Sequence, residues 1–314
     1  MLESLKLSER YDGFLFLAEA ARNPPVLRSH RHVELELNLV VQGTITYVVR
    51  GKRFTFGKRT LLWMFPAQEH VLVDRTSDAQ YYVAVFKPDL IRAACRSTQY
   101  DDLKRSNLKG VDGVLHTMLE PAAFDLVKRT MDTMMVGSLD SDLLNREAGF
   151  GVASAFSFEH GDPDALNAGL RHLLLLCWRY QLAGGASDAS VALHPAVLKA
   201  LGVLGKGDWD GGLAGLARHC GVSEAYLSRV FARQVGISLG RYRNSVRLGR
   251  FLELCRQPGH KTMLEAAYGA GFGSYAQFYK VFVQVYGTGP GATMKRRVVA
   301  ASRRNHVNTR SPLI

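Results

Sequence analysis

The last third of the chain contains one helical pattern twice, and this repeat constrains the fold more than any other feature. In the first copy, a short helix over GLAGLARH (212–219) leads through Cys220-Gly221-Val222 to a second helix over EAYLSRVFARQVG (224–236). Ser223 is a good N-cap for that second helix, and glycine tolerates the positive φ that a tight turn needs. Two helices joined by a three-residue turn with glycine predict a helix-turn-helix unit.

The second copy begins at Thr262, which forms a predicted capping box with Glu265 before MLEAAYGA (263–270). The turn is Gly271-Phe272-Gly273, and Ser274 with Gln277 forms another capping box before YAQFYKVFVQVYG (275–287). At an offset of 51 residues the second helices align at Leu227/Phe278, Arg229/Lys280, Val230/Val281, Phe231/Phe282 and Gly236/Gly287. Repetition of both apolar positions and an outward cation indicates a duplicated unit.

The excess positive charge lies in the same part of the chain. Residues 195–314 hold 18 Lys and Arg against 5 Asp and Glu, a net charge of +13, whereas residues 1–194 hold 22 against 23, a net charge of −1. A neutral part joined to a basic part predicts that only the second meets a polyanion. Charge alone leaves a solvated basic face as an equal alternative.

Residues 195–297 resemble the DNA-binding domain of the AraC/XylS-type transcription regulators. The string A-x3-GF-x-S-x3-F-x-K-x-F-x4-G-x2-P, from Ala267 to Pro290, is highly specific for that family. The resemblance implies that exposed positions of the second helix in each unit, here called the reading helix, face the major groove of DNA. These positions are Ala225, Tyr226, Ser228 and Arg229 in the first unit, and Tyr275, Ala276, Tyr279 and Lys280 in the second.

Arg229 is the foremost candidate for base recognition, because a guanidinium can bind guanine O6 and N7 with two hydrogen bonds. For Lys280, contact with guanine and contact with a phosphate both remain open. Ser238 is predicted to cap a long helix through Cys255, which at 1.5 Å per residue spans roughly 25 Å. That helix is expected to hold the two reading helices about one DNA turn, ~34 Å, apart. The apolar positions that repeat should form the core.

Residues 30–86 are predicted to be β-rich, because short apolar runs alternate there with Gly, Lys, Arg or Asp. Closely spaced strands of this kind favour a small barrel or a double-sheet jelly roll. Helices are predicted over 124–135 and 166–183. The second is apolar on most faces, which predicts burial against the barrel or against another copy of the chain.

A potential ligand cluster lies inside the β-rich part. His30 and His32, two residues apart, would share one face of a strand, and Glu36 is in phase with them. The pattern resembles the first cupin motif, and Gly57, Pro66 and His70 partly match the second, with Gln68 where a glycine is usual. Three interpretations of His30, His32, Glu36 and His70 stay open: a divalent metal site, a polar pocket for an organic effector, and a structural or exposed cluster.

Together these features predict an α+β chain with two domains. Residues 1–183 would be a cupin-like domain that senses an effector and dimerises, 184–194 a linker, 195–297 the DNA-binding domain with two helix-turn-helix units, and 298–314 a basic tail. The predicted function is sequence-specific, effector-responsive regulation of promoters, with activation favoured over repression and no enzymatic activity. A metal-dependent cupin enzyme and a constitutive architectural DNA binder are the rival classes.

The expected partners are double-stranded DNA, RNA polymerase, a small-molecule effector and a second copy of the chain. The sequence contains no apolar run of about 18 residues and no signal peptide, so we expect a cytoplasmic, nucleoid-associated protein without a membrane span. Four cysteines without metal-ligand spacing are expected to be reduced and mostly buried.

Overall fold

The computed structural model describes residues 5, 7–19, 29–107, 113–136, 160–184, 191–206, 209, 211–255, 262–286 and 289–291. The chain forms two compact units, residues 1–249 and 250–314, and each is described by itself. Residues 185–190 of the predicted linker, Gly287 and the predicted basic tail lie outside the described residues.

The first unit begins with two antiparallel sheets, which confirms the predicted double-sheet architecture. One sheet has the strand order β1-β7-β2-β5-β8 and the other the order β6-β3-β4-β9. The strands are β1 (Gly13–Glu19), β2 (Leu35–Gln42), β3 (Thr44–Val49), β4 (Lys52–Gly57), β5 (Thr60–Met64), β6 (His70–Arg75), β7 (Gln80–Phe86), β8 (Leu115–Met118) and β9 (Val191–Ala192). Strand β9 lies within the predicted linker and pairs with β4.

The helices that follow or flank the sheets are mostly those predicted by apolar periodicity. They are α1 (Pro88–Ala94), a 3-10 helix (Thr98–Lys104), α2 (Pro121–Met135), α3 (Pro163–Ala183), α4 (Pro195–Gly205), α5 (Leu213–His219), α6 (Glu224–Val235), α7 (Leu239–Leu254), α8 (Met263–Gly269) and α9 (Tyr275–Tyr286). Proline occupies the first position of α2, α3 and α4, where its missing N–H costs no helical hydrogen bond.

Helix α3 covers the outer face of the first sheet. Its Trp178 ring meets Trp63 of β5 edge-to-face, with ring centroids 5.4 Å apart, and Leu170, Leu173 and Leu174 are fully buried. Of the two predicted surfaces for this apolar helix, it is therefore buried against the sheet of its own chain. Side chains that alternate with Trp63 along β5 face the second sheet instead.

A second core, distinct from the one between the sheets, joins the second sheet to α4, α5 and α6. Val48, Val71 and Val73 of β3 and β6 are buried in one cluster with α4 and α6 residues such as Val197 and Phe231. The first compact unit therefore extends past residue 195, because the outer face of the second sheet is apolar there. The boundaries predicted at 183 and 195 stay predictions.

The cysteines and the helix lengths agree with the simpler expectations. Cys95, Cys177, Cys220 and Cys255, all among the described residues, form no disulfide with one another, and only Cys255 is partly exposed. Among the helices described here, none combines the length and apolarity that crossing a bilayer requires.

Candidate DNA interface and effector site

The first helix-turn-helix unit is formed by α5 and α6, as the sequence predicts. The turn between them closes with hydrogen bonds from Gly221 N to Arg218 O (3.0 Å) and from Val222 N to Ala217 O (3.0 Å). Gly221 has a φ of +75°, a conformation that side chains disfavour. The Ser223 hydroxyl accepts from Tyr226 N at 3.3 Å and begins α6. Local sequence therefore fixes where the reading helix starts.

The second helix-turn-helix unit, formed by α8 and α9, repeats these contacts. Gly271 has a φ of +87°, and its N–H donates to Tyr268 O at 2.8 Å. The predicted capping box of Thr262 and Glu265 is present in both directions. Ser274 Oγ accepts from Gln277 N (3.2 Å) as predicted, but the Gln277 side chain accepts from Gly273 N instead of from the N-cap. The duplication is therefore structural, with one extra residue in the second turn.

Apolar positions of both reading helices face inward. Leu227, Val230 and Phe231 are buried in the first unit, and Phe278 and Phe282 in the second. Val281, predicted as core, is only partly buried.

Most of the predicted contact positions face outward. Ala225, Tyr226 and Arg229 are exposed on α6, where Ser228 is half-buried, and Ala276, Tyr279 and Lys280 are exposed on α9. Tyr275 is half-buried because its ring packs on Phe278, with centroids 5.4 Å apart. Within the described residues, neither the side chain of Arg229 nor that of Lys280 forms a hydrogen bond or ion pair, so both charges are available to a partner.

Contacts that sequence patterns did not indicate hold the C-terminal end of α6. The Arg53 guanidinium of β4 donates to Gln234 O at 3.4 Å, and the Gln234 side chain accepts from His194 N at 2.7 Å. These residues are far apart in sequence, so local patterns carry no signal of the contact. The ring of His194 also meets that of Tyr226, with centroids 5.6 Å apart.

The four residues of the predicted ligand cluster, hereafter the His cluster, do converge between the two sheets. One ring nitrogen each from His30, His32 and His70 lies within 4.8 Å of the other two. The Glu36 Oε2 atom is 3.1 Å from His32 Nε2 and 3.7 Å from His70 Nε2. The prediction that His30 and His32 share one face of a strand was wrong in detail, because His30 forms only an isolated bridge with His70 and β2 starts at Leu35.

Backbone carbonyl groups orient two of the imidazoles. His32 Nδ1 is 3.0 Å from Glu34 O, and His70 Nδ1 is 2.9 Å from Gln68 O. A carbonyl oxygen only accepts hydrogen bonds, so each Nδ1 must carry the hydrogen and each Nε2 of a neutral ring presents a lone pair. The His70 Nε2 atom is buried and has no hydrogen-bond partner among the described residues. The Gln68 side chain holds the loop before His70, because it accepts a hydrogen bond from Phe65 N and donates one to Gly113 O.

Glu36 is anionic in this site. Burial opposes its ionisation, but the hydrogen bond with His32 and the charges of His70 and His32 lower its pKa to about 2. Asn38 lies two residues further along β2, on the same face of the strand, and its side chain donates to Glu36 Oε1 at 2.7 Å. The other oxygen, Oε2, therefore faces the imidazoles. Burial lowers the pKa of His70, whereas the hydrogen bond and charge of Glu36 outweigh burial and raise the pKa of His32.

A cavity of about 490 Å³ opens beside His32. Apolar side chains of Pro66, Ile91 and Leu103 line it together with the cations Arg31, Arg92, Lys104 and Arg105. Its volume lies within the range of small-molecule sites, about 300–1,000 Å³. An amphipathic molecule with an acidic group suits this lining, although three of the cations already pair with exposed aspartates.

Two family models match the chain in the expected order. The model of the AraC-like ligand binding domain matches residues 16–131, and that of a helix-turn-helix domain matches residues 216–296. Together they cover most of the two sheets and of both helix-turn-helix units. No curated protein matches the chain by sequence.

Solved structures of two regulators are similar to the chain at low identity. ToxT from Vibrio cholerae is 11% identical, with 88% of this chain and 95% of ToxT covered and a TM-score of 0.31. ToxT with bound unsaturated fatty acid is 13% identical, with 90% and 95% covered and a TM-score of 0.33. The AraC-like transcriptional activator CuxR is 12% identical, with 84% and 83% covered and a TM-score of 0.31. At these scores the likeness adds nothing to the two family models.

Proposed function

Because the chain belongs to the AraC-type family of DNA-binding transcription regulators, we propose that it activates promoters by reading DNA with α6 and α9 under the control of a small effector. The exposure of Arg229 and Lys280 carries the proposal of DNA contacts. Each lies one turn into a reading helix whose opposite face is buried, and each is unpaired within the described residues. Free N–H groups near Ser223 and Ser274 add donors for phosphate.

Genome-wide mapping of bound sites, followed by footprinting, tests the proposal and supplies the operator. On that operator, Arg229→Ala should cost about 1–3 kcal/mol of specific binding if the guanidinium reads a base. Arg233→Ala is the matched control, since Arg233 is an exposed arginine in the last turn of the same helix. A loss that is equal on all sequences would reassign Arg229 to a phosphate, and no preferred site at all would contradict regulation of specific promoters.

The cavity beside His32, which adjoins the His cluster, is the proposed effector site. A small molecule held there contacts the segment that leads into β2 and the loop between β5 of the first sheet and β6 of the second, so its binding energy can bias their arrangement. Binding of candidate effectors to the purified chain, measured by calorimetry, tests this assignment. Arg31→Ala alters the cavity wall and should weaken an acidic effector, whereas DNA affinity that no candidate effector or cell extract changes favours a constitutive architectural binder.

Four further parts of the proposal concern location, the absence of catalytic activity, RNA polymerase and homodimerisation. We place the protein in the cytoplasm with the nucleoid, without catalytic activity, and with RNA polymerase as the partner in activation. Homodimerisation through residues 164–183 is proposed from α3, where Leu182 is 55% exposed and Leu175 and Leu176 are only partly buried. Light scattering on the wild type and on Leu182→Glu tests the dimer, and a wild-type monomer at all concentrations contradicts it. Repression at the mapped promoters would replace activation.

A further inference from the structure

The His cluster is arranged as a cation site more than as a self-contained hydrogen-bond network. The Nδ1 atoms of His32 and His70 are committed to carbonyl groups, so their Nε2 lone pairs point at the same carboxylate oxygen of Glu36. A carboxylate cannot donate a hydrogen bond, and neither can a lone pair. Something positive must therefore lie between them, either one proton or a metal ion.

The distances suit a metal ion. Ligands about 2.0–2.1 Å from a tetrahedral ion are ~3.4 Å from one another. The two contacts of Glu36 Oε2, at 3.1 Å and 3.7 Å, bracket that separation, and the three imidazole ligand atoms all lie within 4.8 Å. One proton bridging His32 and Glu36 would leave the buried His70 Nε2 unpartnered, as it is among the described residues. A metal ion would engage it as well.

The surroundings of the ligands also fit. Metal-bound histidines usually donate their other N–H to a carbonyl or carboxylate, which fixes the ring and its tautomer. Glu34 O and Gln68 O accept in that way, and Asn38 holds the second oxygen of Glu36. Three imidazoles with one carboxylate match borderline divalent ions such as Zn²⁺, Fe²⁺, Co²⁺ or Ni²⁺ better than Mg²⁺ or Ca²⁺.

Strand β6 connects the His cluster to the first helix-turn-helix unit. Successive residues of a strand point to opposite faces. His70 meets Tyr47 between the sheets, with ring centroids 6.2 Å apart, while Val71 and Val73 lie in the second core against α4 and α6. Ser29, next to His30, also borders α4: its backbone N atom lies 3.7 Å from the point where a side chain at Gly205 would place its Cβ. Strand β6 therefore touches α6 of this unit through the second core, and the segment that bears His30 touches α4, which packs in the same core.

We propose that His30, His32, His70 and Glu36 bind one divalent transition-metal ion and that β6 transmits its occupancy to the first helix-turn-helix unit. The coupling rests on the proposed function, whereas the metal site does not. Binding draws the three imidazoles towards Glu36, and the backbone of β6 moves with His70. The valines on its other face then shift the packing of α4 and α6.

The metal site is tested on the full chain after dialysis against a chelator. We expect about one Zn²⁺ per chain by calorimetry and elemental analysis, and visible absorption bands with Co²⁺. His70→Ala should weaken Zn²⁺ binding by more than about 100-fold, because losing only a neighbour of a ligand costs about 10–100-fold. Glu36→Gln is the second variant, and His172→Ala, an exposed histidine of α3, is the matched control. Equal Zn²⁺ binding by wild type and both cluster variants overturns the site.

The coupling is tested on the mapped operator by fluorescence anisotropy with and without Zn²⁺. Wild type should change its affinity at least about fivefold on metal loading, the lower end of ordinary allosteric coupling. Val71→Ala should keep Zn²⁺ binding and lose most of that change, whereas Val83→Ala, an equally buried valine of β7 outside the second core, should keep both. An unchanged affinity in wild type overturns the coupling. Zn²⁺ binding without operator binding would contradict the proposed function alone.

Discussion

The turn of the first helix-turn-helix unit offers a test in which the same methyl group has opposite effects at two glycines. Gly221, in the turn, has a φ of +75°, and a Cβ added there would meet no atom within 4 Å. Gly202, on the exposed side of α4, would also meet none, but its backbone is helical. Neither substitution creates a steric clash, so the backbone conformation alone decides the sign.

At Gly221, alanine must adopt a left-handed conformation, which costs about 1–2 kcal/mol. At Gly202, alanine removes conformational freedom from the unfolded chain and stabilises the helix by about 0.5–1 kcal/mol. The two variants should therefore differ by roughly 1.5–3 kcal/mol. With an m value of about 3 kcal/mol per M, their midpoints of urea unfolding differ by roughly 0.5–1 M.

Circular dichroism during urea titration measures both midpoints on the full chain. Gly221→Asn is an internal control, because asparagine tolerates the left-handed region better than alanine and should fall between alanine and glycine. If Gly221→Ala unfolds at the same urea concentration as wild type or a higher one, the turn does not depend on a positive φ. The start of α6 would then not depend on Gly221.

Four further variants or measurements address the two reading helices and the cores. Lys280→Ala should weaken binding about equally for all DNA sequences and reduce the slope of log K against log salt by about 1, whereas selective loss at one base pair would assign it to guanine. Phe231→Ala should destabilise the first unit by about 3–5 kcal/mol in urea unfolding, because its ring is fully buried; a loss below 1 kcal/mol refutes that packing. Cys177 should react with thiol reagents only after unfolding, since burial covers its sulfur and raises the pKa of its thiol, and rapid native labelling would contradict this. Arg53→Ala should cost about 1 kcal/mol of stability yet leave operator affinity unchanged; an affinity loss equal to that of Arg229→Ala would show that DNA binding depends on the contact between β4 and the end of α6.

The helix-turn-helix units could be predicted from the sequence because their determinants are local. An N-cap such as Ser223 and a glycine such as Gly221 act within a few residues, so the local sequence alone determines where the helices begin and end. Pro195, at the first position of α4, is another determinant of this local kind. The exposed and buried faces of both reading helices largely followed from their period. Ser228 and Tyr275 are half-buried where exposure was predicted, Tyr275 because its ring packs on Phe278, and Val281 is only partly buried where core was predicted.

Contacts between distant segments could not be predicted in this way. The convergence of His30 and His70 depends on a bridge across 40 residues, whereas the sequence pattern predicted a strand at His30 and His32 where the structure has only that isolated bridge. The second core likewise arises because Val71 and Val73 face α4 and α6, although alternation along β6 indicates only that one face is apolar. Register and layer order are set by the whole fold, which no single run of residues encodes.

The second sheet holds helix α6 at its C-terminal end, away from the proposed DNA contacts. A helix presents partial negative charge at its C-terminus and partial positive charge at its N-terminus. Arg53 meets the carbonyl of Gln234 in the last turn, where a cation is favoured, while the first turn with Ser223 and the exposed Arg229 remains open to an anion. Because the docked arrangement leaves that face open, an effector has no need to release α6 from the sheet. Regulation by β6 would instead change the angle at which an already accessible helix meets the major groove, and DNA affinity would change without any change in the residues that touch the bases.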